Sequence, residues 1–221
     1  VVLNQAVDSA LLEREKPNAV IVATGAVPIV PAIPGLDRAN VVQAWDVLQE
    51  KVQTGRNVIV IGGGAVGVET AMFLAEKGTL SGEELKFLLI NKAETPETLH
   101  ELASRGTKNV LLIEMIGKIG KDIGRSTRWG MLQDMSRFGI KSDVQTRALE
   151  ITKVGVKVER EGGVQEIPAD TIVIAAGAQP FNPLQAILEQ KKIPHQVVGD
   201  AGTVATAFDA VHQGFRAGRE I

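Results

Sequence analysis

Apolar residues in this chain come mostly in short unbroken runs closed by glycine. Asn57-Val58-Ile59-Val60-Ile61 is β-branched and almost wholly apolar, the pattern of a parallel strand buried on both faces. Residues 66–77 have helix composition, and residues 109–114 (Asn-Val-Leu-Leu-Ile-Glu) form a second buried strand that ends in a carboxylate. Residues 125–138 predict an amphipathic helix stopped by Gly139. Residues 141–150, 151–153, 156–160 and 164–167 alternate like a small antiparallel meander, with Val154-Gly155 and Gly162-Gly163 as turns. Residues 29–35 are punctuated by proline and cannot be helical. Residues 41–50 predict a strand end followed by a short helix, with Trp45 and Asp46 serving packing and capping. A helix with apolar periodicity spans about 203–219, and Val1 stands inside an expected strand, as in a piece of a longer polypeptide. These elements predict an α/β fold.

Between residues 79 and 108 the pattern changes. Ser81-Gly82-Glu83-Glu84 and Thr95-Pro96-Glu97-Thr98 both read as helix starts, with acidic first turns and Pro96 at a first helical position. They predict two extra helices, about 83–92 and 96–105. A second feature is a repeat. Residues 16–28 and 169–180 each carry a polar lead, a β-branched run, a small-residue glycine turn and then a proline. The repeat suggests two related nucleotide-binding domains, each with this strand at its ligand edge.

Strand 57–61 runs into Gly62-Gly63-Gly64-Ala65-Val66-Gly67 and then into the helix. This order is the dinucleotide-binding fingerprint: Gly62 for the tight turn, Gly64 for close approach to a pyrophosphate, Gly67 for helix–strand contact. The amides at the helix start face the phosphate charge. An acid usually follows about 20 residues on. Here 47 positions separate Gly67 from Glu114, and the two-helix insertion accounts for the excess.

Composition narrows the chemistry. A net charge of −2 and the lack of a basic stripe argue against a nucleic-acid partner. No apolar run approaches the roughly 20 residues of a membrane span. The absence of Cys excludes a thiol–disulfide site, an iron–sulfur cluster or a cysteine zinc site within these residues, and the absence of Tyr excludes a tyrosine general acid. Lack of cysteine fits a reducing, cytoplasmic setting. His100, His195 and His212 share no spacing that suggests a metal or a triad. Any redox chemistry must therefore rest on a cofactor. Arg128-Trp129 offers an arginine for stacking or phosphate contact, or a tryptophan for packing.

Several segments together resemble the C-terminal flavin/nicotinamide portion of the NADH:flavin oxidoreductase group, which includes 2,4-dienoyl-CoA reductases, 2-enoate reductases and trimethylamine dehydrogenase. They are residues 18–28, 58–71, the insertion 78–108, residues 118–129 and Val198-Gly199-Asp200-Ala201. The resemblance implies a Rossmann-like NAD(H)-binding domain (54–179, a parallel sheet with an antiparallel meander, insertion 79–108) set into a partial FAD-binding domain (1–53 and 180–221). It implies that Gly62, Gly63, Gly64, Ala65, Val66 and Gly67 bind the NADH pyrophosphate. Glu69 would lie near the nicotinamide amide. Glu114 would accept from the adenosine ribose and disfavour a 2′-phosphate, although Lys118 and Lys121 nearby temper that preference. Ala176 and Gly177 would let backbone approach the nicotinamide, while Thr24, Gly25 and Asp200 would lie against FAD. FMN, an iron–sulfur cluster and a flavin-bearing barrel are expected only outside this chain, in a parent that passes hydride from NADH to FAD to reduce an activated alkene. The isolated chain is not expected to turn over. An ADP-binding module without hydride transfer, as in the trimethylamine dehydrogenase branch, is the alternative. Association into a homo-oligomer is compatible with the sequence.

Overall fold

A computed structural model of the chain describes residues 1–220. Two compact units are present: residues 1–29 with the segment from Ala178 onward, and residues 30–177. The first unit opens with α1 (Ser9–Glu15), β1 (Val20–Val22) and β2 (Ala26–Pro28). The second unit begins with β3 (Val41–Gln43), α2 (Ala44–Leu48), β4 (Asn57–Ile61) and α3 (Ala65–Ala75). It continues with α4 (Gly82–Ile90), α5 (Pro96–Ser104), β5 (Asn109–Ile113), α6 (Arg125–Arg137) and β6 (Lys141–Asp143). β7 (Arg147–Ile151), β8 (Gly155–Arg160), β9 (Gly163–Pro168) and β10 (Thr171–Ile174) complete it. The chain then returns to the first unit as β11 (Ala178–Pro180), α7 (Gln185–Gln190), β12 (His195–Val197), a 3₁₀ turn at Gly199–Ala201, and α8 (Ala207–Glu220).

The second unit is built on a five-stranded parallel sheet in the order β3-β10-β4-β5-β6. Strand β4 is central, and successive strands lie to one side of it while β10 and β3 lie to the other. The crevice at its carboxyl end is thus a topological switch point. The alternation along β4 explains why the sequence shows no polar face. Val58 and Val60 enter a core with Val68, Ala71 and Leu74 of α3, Met135 of α6 and Ala44 of α2. Ile59 and Ile61 enter a separate core with Ile151, Val156 and Val158 of the β7–β9 meander. Helices cover one face and the meander the other, so residues 58–61 are buried whichever way they point. Leu112 is fully buried in the helix-side core. Leu112→Ala is expected to cost about 2–5 kcal/mol through lost transfer energy and a cavity, measurable as a lowered denaturant midpoint with unchanged slope.

The insertion folds as expected. Ser81 Oγ accepts from the Glu84 amide and the Glu84 carboxylate accepts from the Ser81 amide, a reciprocal cap that starts α4. Thr95 caps α5 with Pro96 in its first turn.

Elsewhere the structure departs from the pattern. Residues 141–150 are not one meander strand. Lys141–Asp143 pairs in parallel with β5 at the sheet edge, and Gln145, at φ +50°, turns the chain away before β7 begins the meander. Gly155 and Gly163 open strands rather than sit in turns. Residues 1–8 form no strand, and the first element is α1. Helix α8 starts at Ala207, not near 203, because Thr206 and Asp209 cap it reciprocally: Asp209 accepts from the Thr206 amide and Thr206 Oγ1 from the Asp209 amide. The expected boundary at 53/54 falls inside the second unit, since β3 is hydrogen-bonded beside β10. No described helix is long and apolar enough to cross a membrane.

Candidate dinucleotide site

The turn after β4 is shaped by what its glycines must avoid. Gly62 has φ +113°, and a Cβ there would lie 2.3 Å from the carbonyl oxygen of Ala175 at the end of β10. A Cβ on Gly67 would lie 1.8 Å from the Gly62 carbonyl oxygen. Only hydrogen fits at either position, so the first turn of α3 sits directly against the end of β4. Gly64 is the N-cap residue of α3 and has no side chain with which to cap it. Ala65 and Val66, half-buried, begin the helix, with their amides directed out of its N-terminus.

Glu114 follows β5 directly and closes over this turn. One carboxylate oxygen accepts from the Gly63 amide at 2.6 Å, and the other accepts from the Ile116 amide at 2.9 Å. The acid expected to hold a ribose therefore also locks the glycine turn. Each oxygen retains a further lone pair for a hydroxyl donor. Ala176 and Gly177 follow β10 at the same sheet edge, with the Ala176 amide 3.4 Å from the position of a Gly62 Cβ. The structure thus brings Gly62–Gly67, Glu114, Ala176 and Gly177 to one crevice. Glu69 stands exposed on α3, one turn in.

Thr24, Gly25 and Asp200 belong to the first unit. Strand β1 pairs in parallel with β12, so Thr24-Gly25 and Gly199-Asp200 leave the same end of that pair. All three are already engaged: Thr24 Oγ1 donates to the Phe181 carbonyl, Gly25 accepts from the Phe181 amide at 2.9 Å, and Asp200 accepts from the Ala205 amide at 3.1 Å.

Asp122, in the loop between β5 and α6, and Arg128, in the first turn of α6, make contacts that the sequence does not show. Asp122 accepts from the Ala65 amide through both carboxylate oxygens, at 2.9 and 3.0 Å, and so caps α3 from outside. Arg128 bonds the backbone of the preceding loop. Its Nε donates to the Ile119 carbonyl at 2.6 Å and pins this loop, whose Ile119 side chain is buried in the helix-side core. Trp129 is exposed. His195 and His212 bond nearby backbone carbonyls through Nδ1. Among the described residues no three His, Asp or Glu side chains cluster as a metal site.

Known proteins are similar to this chain. The chain is 44% identical over 204 residues to a metal reductase of Desulforamulus reducens, covering 92% of this chain and 30% of the relative. It is 35% identical over 220 residues to an NADH oxidase of Thermoanaerobacter brockii, covering 97% of this chain and 29% of the relative. The solved structure of 2-naphthoyl-CoA reductase in complex with 2-naphthoyl-CoA superimposes with a TM-score of 0.80 at 25% identity, over 99% of this chain and 29% of the other. The chain therefore spans under a third of the length of these proteins. A family profile, pyridine nucleotide-disulphide oxidoreductase, matches residues 2–205. With the glycine turn at the switch point of a parallel sheet, that match over most of the chain makes it a member of the pyridine nucleotide-disulphide oxidoreductase family.

Proposed function

We propose that this chain is the nicotinamide-dinucleotide-binding part of a flavin-dependent NADH oxidoreductase, accepting NADH at Gly62–Gly67 for hydride transfer to FAD. The observation that carries this reading is the turn itself: two glycines with no room for a Cβ, a helix N-terminus beyond them, and Glu114 closing over the Gly63 amide. Such a cradle fits a pyrophosphate with an adjacent ribose diol. The residues bind and orient; Gly62, Gly64 and the first turn of α3 hold the phosphates, and Glu114 accepts from the ribose hydroxyls. Glu69, Ala176 and Gly177 bound the nicotinamide end. NADH supplies the hydride, so no side chain here need act as a proton donor.

The same reading assigns the second unit to NAD(H) and the first unit to part of an FAD domain. Thr24, Gly25 and Asp200 fit one side of FAD, at one end of the β1–β12 pair. The named relatives act, by their names, on a metal, on NADH and on a naphthoyl-CoA. That spread is what a shared electron-input part with different acceptors would give. For the parent of this chain we take the acceptor to be an activated alkene of enoate or acyl-CoA type, with the flavin-bearing barrel, FMN and iron–sulfur cluster outside these residues. On this reading the parent is one of the NADH:flavin oxidoreductases.

Calorimetric titration of the chain with NADH, NADPH and ADP tests the binding reading. NADH is expected to bind in the micromolar to millimolar range and NADPH roughly tenfold more weakly, because Glu114 repels a 2′-phosphate. Binding of ADP with no additional affinity for NADH would favour the non-redox module. Binding of none of them to folded protein would remove the reading.

A further inference from the structure

The glycine turn is expected to welcome a phosphate, yet an anion already sits on it. Asp122 places both carboxylate oxygens on the Ala65 amide, the first donor of α3. A Cβ built on Gly64 would lie 3.2 Å from Asp122 Oδ2, so the carboxylate fills the space left open by the missing side chain. We propose that Asp122 is a built-in competitor for the pyrophosphate site, holding the α3 N-terminus until a dinucleotide displaces it. The proposal rests on the nucleotide reading above and adds to it a residue that sets affinity.

The physical case has three parts. First, a helix N-terminus favours one nearby anion, and Gly64 supplies none of its own. Second, a phosphate oxygen and the Asp122 carboxylate cannot both accept from the Ala65 amide without two negative charges in contact. Third, Asp122 is exposed, whereas its loop is anchored beside it. Ile119 is buried, the Gly120 amide donates to the Gly63 carbonyl at 2.6 Å, and Arg128 holds the Ile119 carbonyl. The side chain can therefore swing into water while the loop stays in place. Charges around the turn are mixed: Glu114 accepts from the Gly63 amide, and Lys118 and Lys121 stand exposed in the same loop. Removing Asp122 leaves the lysines to favour phosphate.

The test uses the 221-residue chain, its Asp122→Ala and Asp122→Asn variants, and three probes: NADH, ADP and adenosine. For Asp122→Ala, affinity for NADH and ADP should rise roughly three- to tenfold, while adenosine, which carries no phosphate, should bind as to the parent chain. The melting temperature should fall by a few degrees, since a helix cap is lost. Asp122→Asn, which keeps a neutral acceptor, should fall between. Opposite signs for stability and affinity are the signature of a competitor. A residue that only supports the fold would lower stability and leave affinity equal or weaker, which would overturn the proposal. Tightening that extends equally to adenosine would also overturn it. If NADH and ADP bind no variant while all are folded, the nucleotide reading itself fails, and the competitor with it.

Discussion

Gly67→Ala should abolish dinucleotide binding and destabilise the second unit by on the order of 3 kcal/mol. The added methyl would meet the Gly62 carbonyl oxygen at 1.8 Å, a backbone atom that cannot rotate away. Relief requires α3 to move off the end of β4, which carries the first-turn amides away from the pyrophosphate. Gly64→Ala provides the contrast, because the nearest atom to its Cβ is Asp122 Oδ2 at 3.2 Å, the end of an exposed side chain. Chemical denaturation and NADH titration of both variants check the pair. Equal losses of stability at Gly64 and Gly67 would contradict the steric account.

The second large effect is expected at Glu114. Glu114→Ala leaves the amides of Gly63 and Ile116 without their acceptors. Gly63 is buried, so the loss should cost about 1–3 kcal/mol of stability and loosen the turn. NADH affinity should fall by roughly tenfold or more through the loss of both the clamp and the ribose acceptor. Glu114→Gln should separate the two roles. Its amide oxygen can keep the Gly63 contact while the negative charge is gone, so NADH binding falls less and the preference over NADPH narrows. Parallel titrations with both nucleotides check this. An unchanged preference in Glu114→Gln would remove Glu114 from nucleotide discrimination.

How much of this was legible in the sequence depends on how local each signal is. Strand β4, the glycine turn and α3 follow from contiguous residues, and so do the caps of α4 and α5 at Ser81 and Thr95. Glu114 was found across a long insertion because it ends a strand, a position fixed by the fold type. Its second role, accepting from Gly63 and Ile116, involves a contact across the sheet edge that no spacing rule encodes. Asp122 went unnoticed for the same reason: nothing in Lys121-Asp122-Ile123 shows that its partner is Ala65. The contact of Arg128 is equally hidden, because nothing in its sequence shows that the Ile119 carbonyl takes its Nε. Strand β6 was merged with β7 because polar Lys141-Ser142-Asp143 has the same alternation at a parallel sheet edge as in a meander. The turn between them depends on Gln145 in a left-handed conformation, which its side chain does not announce. Asp200 and Thr24 come from resemblance, and the structure adds that Asp200 accepts within its own turn while Thr24 donates to Phe181, far away in sequence.

The claim that NADH docks its pyrophosphate on the first turn of α3 is tested most directly by following backbone amide resonances of the isotope-labelled chain during NADH titration. The account predicts saturable shifts centred on Gly63, Gly64, Ala65 and Val66, with smaller ones at Glu114, Ala176 and Gly177. Saturable shifts centred elsewhere, with the amides of Gly63–Val66 unmoved, would contradict it.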